Sequence, residues 1–144
     1  MREYLPGGGL RLRAGDCSFT YQSLRRGALL VTIAGIDKGQ FGTATLDEIR
    51  LDMLRHRPLE LFVDAAAAVA VAVPVSQEWT HFFSLNREHL TRVSVLVGSK
   101  AVELTVAIAQ HLSQTGNLIQ IYSDRALFEA RVAAAREGRR QPLT

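Results

Sequence analysis

Apolar and polar residues alternate over residues 18–24, and this two-residue period predicts a half-buried β-strand. A second run, residues 28–36, is apolar almost throughout, as expected for a strand inside a sheet. Between them lie Arg25, Arg26 and Gly27, which suit a tight turn. The chain is therefore predicted to open its sheet with an antiparallel hairpin, whose first strand forms the sheet edge.

Helical and strand patterns alternate after this hairpin. Thr45 and Glu48 have the spacing of a capping box, which predicts a helix from there to about residue 57. Three further strands are predicted at residues 59–63, 92–97 and 118–122. Three further helices are predicted to begin near Ser76, Ser99 and Asp124. The order β-β-α-β-α-β-α-β-α predicts an α/β fold with a mixed five-stranded sheet, mostly parallel strands and four helices.

A single domain accounts for most of the chain. Its 144 residues are enough to bury a core without disulfides or metals. Residues 1–15 are predicted to be a flexible N-terminal leader, because Pro6 and the three glycines after it favour turns and no periodic pattern begins there. The domain itself is assigned to residues 16–137, and residues 138–144 are assigned to a basic polar tail.

Composition and charge narrow the function classes. The formal net charge is only +3, and no basic stripe interleaved with aromatic residues is present, so nucleic-acid binding is not expected. Cys17 is the single cysteine, which excludes an internal disulfide and predicts a reducing compartment. The chain starts without the apolar core of a signal peptide, and its longest apolar run, residues 65–75, is about half of the ~20 residues that a membrane-spanning helix needs. A soluble, cytoplasmic protein that does not cross a membrane is therefore predicted.

The apolar run at residues 65–75 is the most unusual segment of the chain. It follows a strand that ends at Asp64, and open α/β sheets bind ligands at the carboxyl ends of their strands. Three interpretations stay open. The run extends the strand or forms a covered loop; or it is an exposed surface that pairs two subunits or docks a partner; or it lines a pocket for an apolar ligand.

The second and third interpretations, the exposed surface and the ligand pocket, each predict a set of functional residues. The predicted interaction surface consists of Val71, Val73, Val75, Trp79 and Phe83. The predicted ligand pocket consists of Asp64, Trp79 and Phe82. The first set favours a homodimer or a heterologous protein partner. The second favours a carrier or sensor of a small apolar ligand, bound near the end of strand 59–64.

No catalytic or metal-binding signature supports an enzyme. Glu78 and His81 are three residues apart on a helix, a spacing found in metal sites, but no second such pair and no cysteine pair accompanies them. No Gly-x-Ser-x-Gly elbow marks a serine nucleophile, and Asp64 has no identifiable partner base. No catalytic residue, metal or cofactor is therefore assigned. An enzyme that uses Asp64 or the Glu78–His81 pair is the hypothesis ranked last.

The succession of motifs resembles a known fold. ALLVTIAGI is followed by the capped helix TLDEIRLDML, the strand LELFVDA, the Trp79 helix, RVSVLVGS and finally LIQIYSDRALFEARV. This order resembles the STAS fold of the bacterial anti-sigma-factor antagonists, and more closely the divergent SpoIIAA-like branch that is related to the lipid-binding CRAL-TRIO domains. The resemblance covers residues 18–135. It implies a non-enzymatic regulatory module that acts through protein contacts, and its lipid-binding relatives suggest the ligand carrier as the alternative.

The resemblance also draws attention to one serine. Regulatory members of the family carry a phosphorylatable serine in an Asp-Ser-Ser/Thr-Gly motif just after the third strand. Here Asp64 is followed by alanines, so the motif is absent and kinase-controlled partner switching is not implied. Ser76 is the first hydroxyl after the run and the nearest candidate phosphosite, since a helix N-terminus favours a phosphate. A plain N-cap explains the same serine.

Overall fold

Seven strands in one sheet and four α-helices make up residues 1–138, the part of the chain that the computed structural model describes. The strands are β1 (Arg2–Tyr4), β2 (Leu10–Ala14), β3 (Cys17–Arg25), β4 (Ala28–Asp37), β5 (Leu59–Val71), β6 (Leu90–Val97) and β7 (Ile119–Tyr122). The helices are α1 (Ala44–Arg55), α2 (Val73–Leu85), α3 (Lys100–Leu112) and α4 (Arg125–Arg136). From residue 139 onwards, the predicted basic tail lies outside the described residues.

The strands lie in the sheet in the same order as in the chain. β1 to β4 form an antiparallel meander, and β4 to β7 run parallel. Each parallel step needs a crossover, and such crossovers are almost always right-handed. Because the three crossovers step in one direction across the sheet, α1, α2 and α3 all pack on one face, the front face. The last helix, α4, packs on the opposite side, the back face.

Each face of the sheet buries its own hydrophobic cluster. On the front face, Ile49 of α1, Phe83 of α2 and Val102 of α3 pack onto the strands. On the back face, Phe128 of α4 packs against Phe62 of β5. The central strands are therefore covered on both sides, which explains why β4 to β6 are apolar for most of their length.

The prediction of five strands is wrong, because the segment predicted to be a flexible leader supplies two more. Leu10 and Leu12 are buried and alternate with arginines, so β2 pairs with β3 as an ordinary half-buried strand. Gly7 and Gly8 have φ angles of 88° and 93°, and they form the turn between β1 and β2. The sheet edge is consequently β1, and not β3 as the hairpin alone predicts.

Two helices start earlier than their capping residues predict. α1 begins at Ala44, so Thr45 lies inside the helix, is buried, and accepts a hydrogen bond on its carbonyl from the Tyr21 hydroxyl at 2.8 Å. α2 begins at Val73, which places Ser76 in its first turn and not at its N-cap. In α2, Pro74 occupies the first turn, where its fixed φ and missing N–H suit the start of a helix.

The other two predicted N-caps are confirmed. Ser99 Oγ accepts a hydrogen bond from the Val102 N–H at the start of α3. Asp124 accepts hydrogen bonds from two N–H groups in the first turn of α4. Each side chain satisfies donors that the helix itself leaves free.

The alanine-rich run continues β5 as far as Val71, which agrees with the first of the three interpretations of this segment. Its pairing with β4 is irregular: Thr32 lies opposite Asp64, but Ala34 lies opposite Ala67. Two residues of β4 are thus matched by three of β5, which is a β-bulge. A bulge changes which side chains of the bulged strand face each side of the sheet, and here it shapes the site on the front face.

Candidate functional site: an apolar pocket on the front face

An apolar cavity of about 80 Å³ lies between the front face and two of its helices, α2 and α3. Its floor is the sheet, where neighbouring strands contribute Phe19, Ile33, Val63, Val95 and Ile119. These are residues of five different strands, so the cavity crosses the middle of the sheet. We call this cavity the front-face pocket.

Small side chains keep the front-face pocket open. Ala65 and Ala68 of β5 both face it, although they are three residues apart and an unbulged strand would turn one of them away. Ala67, between them, is exposed instead. Ala109 of α3 lines the opposite wall. Methyl groups at these positions leave volume that larger side chains would fill.

Aromatic rings close the pocket on the α2 side. Trp79 and Phe83 both line it, and their ring centroids are 5.7 Å apart. Phe83 is buried, whereas Trp79 is half-buried and reaches the surface. Trp79 is also the single tryptophan of the chain, so its fluorescence reports on this pocket alone.

Asp37 at the end of β4 is the charged side chain of the pocket lining, and it is only 4% exposed. Its Oδ1 accepts a hydrogen bond from the Gly39 N–H at 3.0 Å. Its backbone carbonyl accepts another from the N–H of Ala72, the N-cap residue of α2, at 2.9 Å. The end of β4 is thereby held against the start of α2.

Two residues with hydroxyl groups also line the pocket, and both hydroxyls already donate a hydrogen bond to a backbone carbonyl. Ser76 Oγ donates to the Val73 carbonyl at 2.9 Å, and Thr105 Oγ1 donates to the Ala101 carbonyl at 3.0 Å. Both residues are partly exposed, as is Val71, so they mark the side from which the pocket is reached. No arginine, lysine or histidine is among the described residues that line it.

Two titratable groups near Asp37 are held in their neutral forms. Burial raises the pKa of the Cys17 thiol to about 11, and the negative charges of Asp37 and Asp16 add to this shift. Burial also raises the pKa of Tyr21, with smaller contributions from Glu48 and Asp37. A protonated, fully buried thiol is a poor nucleophile, so neither group gives this region the character of an active site.

The structure brings one of the three predicted pocket residues to the pocket. Trp79 lines it, but Phe82 lies deeper, with the guanidinium carbon of Arg50 5.3 Å from its ring centroid. Asp64 lies on the back face, where its Oδ2 is 3.2 Å from Arg125 of α4. The reason is the strand period: the neighbours of Asp64 in β5 face the front, so Asp64 itself faces the back.

The predicted interaction surface is divided between the interior and the exterior. Val75 and Phe83 are buried, and Val71 and Trp79 are half-buried at the pocket. Val73 is 67% exposed. The helical period explains this division, since residues 75, 79 and 83 follow one another at helical spacing on the face of α2 that packs on the sheet.

The remaining candidate residues are not gathered into a site. Ser76 lies in the first turn of α2 and lines the pocket, while Glu78 and His81 are exposed on the outer side of that helix. Within residues 1–138, no group of three His, Cys, Asp or Glu side chains is placed to hold a metal ion. None of the helices in that part of the chain combines the length and the apolar character needed to cross a membrane.

Sequence reasoning missed Asp37, Ala68 and Thr105 as pocket residues. The available signal was the position of Asp37 in the sequence. It directly follows the strand predicted at residues 28–36, and parallel neighbours end at the same edge of a sheet. Ala68 could not be assigned to a face without knowing the bulge. Thr105 lies in the middle of a helix whose rotation about its axis is set by packing.

One solved structure gives this fold a name. The chain is similar to the crystal structure of an uncharacterised protein of the DUF3478 family with a SpoIIAA-like fold, from Shewanella loihica PV-4. The TM-score is 0.50 and the identity 11%, and the match covers 85% of this chain and 90% of the other. No protein-family model matches the chain, and no curated protein matches it. At this identity the likeness shows the fold alone, which is SpoIIAA-like, and it confirms the resemblance noted in the sequence.

Proposed function

We propose that this protein is a non-enzymatic STAS-like module that binds a small apolar ligand in the front-face pocket, as a carrier or a sensor. The observation that carries the proposal is the lining itself: a cavity of about 80 Å³ walled almost entirely by aliphatic and aromatic side chains. Small-molecule sites are usually apolar in this way, and a cavity of this small volume suits a ligand of only a few carbon atoms. The single buried cysteine fits a reducing compartment such as the cytoplasm.

The energetics of such a site favour the binding of a hydrocarbon ligand. A methylene group transferred from water into an apolar cavity contributes about 0.8 kcal/mol, and a cavity without polar groups gives water few partners to hold it there. Phe19 of β3, Trp79 of α2 and Thr105 of α3 line the same space. A ligand between them touches three elements that are distant in the sequence, so its binding can stabilise one arrangement of α2 and α3, as a sensor requires.

Fluorescence of Trp79 tests this proposal directly. We expect 1-propanol, a neutral probe small enough for a cavity of about 80 Å³, to change the emission of the wild type saturably. Ala68→Leu places three more carbons in the cavity and should weaken this binding at least tenfold. Ala67→Leu, the same change at the exposed neighbour, is the matched control and should bind as the wild type does. Equal binding by wild type and Ala68→Leu would place the probe outside the pocket and contradict the proposal.

A second candidate function is self-association, or docking of a partner protein, at the outer end of the same segment. Val69 is 61% exposed and Val73 67% exposed, although both are large and apolar. Large apolar side chains exposed on the surface are candidates for protein contacts. We propose that these two residues contribute to a homodimer contact, which the solution mass of Val73→Asp tests.

A further inference from the structure

We infer that the outer face of α3 is the main surface through which two copies of this chain associate, with the two α3 helices antiparallel. This face contains Leu104, Ile108 and Leu112, and we call it the α3 stripe. The inference rests on self-association, the second candidate function above, and extends its contact from Val69 and Val73 to a second helix. It is independent of the ligand proposed for the front-face pocket.

The α3 stripe consists of large apolar side chains that remain exposed. Leu104, Ile108 and Leu112 are 63%, 50% and 61% exposed, and their spacing of four residues places them in one row along the helix. The opposite side of α3 is apolar as well, and there Val102 and Ala109 are buried. A helix that is apolar all round is normally buried all round, so the outer face of α3 lacks the cover that its composition calls for.

The α3 stripe is also free of charge, unlike the exposed sides of α1 and α4. The charged side chains of α3 are Lys100 and Glu103, and no Asp, Glu, Lys or Arg occurs over residues 104–112. By contrast, Asp47 of α1 and Glu129 of α4 are exposed, and each forms an ion pair on its own helix. A neutral, apolar row offers nothing to a highly charged partner, whereas a copy of the same row matches it.

The charges at the ends of α3 favour a second copy in the antiparallel orientation. Lys100 begins the helix, its side chain is 95% exposed, and its Nζ is 3.3 Å from Glu103. The N-terminus of a helix carries partial positive charge, so this lysine is poorly placed with respect to its own helix dipole. In an antiparallel pair it lies towards the C-terminal end of the other α3, where the partial charge is negative. The stripe is thus complementary to itself in charge as well as in apolar character.

The area that a stable dimer needs also points to α3. Such an interface buries about 800 Å² on each partner, which Val69 and Val73 cannot supply alone. Between Leu104 and Leu112 the stripe runs for about 12 Å along the helix. α3 packs beside α2, and both helices begin at the carboxyl edge of the sheet, after β6 and β5. Val73 and the α3 stripe therefore belong to the same outer layer, and one two-fold contact can bury both.

The first test is the dissociation constant of the dimer, measured by light scattering over a concentration series. Leu104→Asp should raise it at least tenfold relative to the wild type, because the change places a charge inside the apolar contact. Leu127→Asp is the matched control, since Leu127 is also a leucine on a helix and is 59% exposed; it should leave the dissociation constant unchanged. Circular dichroism checks that both variants are folded.

The second test uses crosslinking and needs no disruptive change. A two-fold axis that superposes the stripe on its copy passes at Ile108, and so pairs residue 104 of one copy with residue 112 of the other. Mixed Leu104→Cys and Leu112→Cys proteins should therefore be joined by a short bifunctional maleimide at least tenfold faster than either protein alone. Cys17 is completely buried and should not react.

The outcomes separate this inference from the candidate function on which it rests. A monomeric wild type would overturn both. A dimer that Val73→Asp dissociates and Leu104→Asp does not would overturn the inference alone, and leave the contact at Val69 and Val73 in place. Crosslinking of each cysteine variant to itself as fast as in the mixture would also overturn it, because the helices would then not be antiparallel across the stripe.

Discussion

The front and back faces of the sheet are packed in different ways. Three helices cover the front face, yet a cavity remains beneath two of them. One helix covers the back face, where the Phe128 ring packs edge-on against that of Phe62 at 6.0 Å and against that of Tyr122 at 6.1 Å. Three covering helices have therefore not closed the space above the front face of the sheet.

The connections of α2 and α3 contribute to this difference. α2 and α3 are each held between two strands by short connections. The turn into α3 is fixed closely, since a Cβ at Gly98 would lie only 2.3 Å from the Ala66 carbonyl oxygen. Helices held at both ends cannot move in to fill the space above small residues such as Ala68, and a pocket results.

Substitutions at two alanines of β5 test the difference between the two faces, and they have the largest expected effects. Ala66 packs towards the back cluster and Ala68 lines the front-face pocket, two residues apart on one strand. Ala66→Leu should lower the free energy of unfolding by about 1–3 kcal/mol, because the larger side chain crowds the cluster of Phe62 and Phe128 against which Ala66 packs. Ala68→Leu should leave it unchanged or raise it by about 0.5–2 kcal/mol, because it fills a cavity.

Urea unfolding followed by circular dichroism measures both changes, with Ala67→Leu as the exposed control. Equal losses for Ala66→Leu and Ala68→Leu would show that the two faces are equally dense. The front-face pocket would then lack the space on which its proposed function depends.

Much of the fold was predictable from local patterns. The alternation of residues 18–24, the apolar strands and the caps at Ser99 and Asp124 each depend on a short stretch of chain, and each was assigned correctly. The alternating pattern of β2 was equally local, but the glycines before it suggested flexibility when they in fact form a turn. The prediction gave the glycines more weight than the alternating pattern, and β1 and β2 were missed for that reason.

The candidate site was less predictable, because its residues meet only through tertiary structure. The side of β5 on which Ala68 lies depends on a bulge defined by pairing with β4. Asp64 was the obvious acid near the end of a strand, but the strand continues past it and turns it to the back, while Asp37 lines the pocket. Trp79 was found because an aromatic residue at helical spacing from other apolar residues almost always faces a core.

A buried hydroxyl of the back face provides a smaller test of the comparison. Ser94 of β6 is completely buried under the α4 layer, and its Oγ has no hydrogen-bond partner among the described residues. An unsatisfied buried hydroxyl costs about 1–3 kcal/mol. Ser94→Ala should therefore raise the free energy of unfolding, by about 1 kcal/mol.

The control for this change is Ser18→Ala on β3, a partly exposed strand position whose hydroxyl keeps its access to water. It should alter stability by no more than about 0.5 kcal/mol. Urea unfolding measures this change as well. A loss of stability in Ser94→Ala would mean that the Ser94 hydroxyl has a hydrogen-bond partner after all.

The smallest expected effect on stability concerns the outer surfaces of the two layers. Val73 on the front helix α2 and Leu127 on the back helix α4 are 67% and 59% exposed. Val73→Asp and Leu127→Asp should each change the free energy of unfolding by less than about 0.5 kcal/mol, because both side chains are mostly exposed. Their effects on association should differ, since Val73 belongs to the proposed contact with Val69 and Leu127 does not. Light scattering should give a dimer for the wild type and Leu127→Asp, and a folded monomer for Val73→Asp. A monomeric wild type would remove self-association from the candidate functions and leave the enclosed ligand, or a different protein, as the occupant of this end of the molecule.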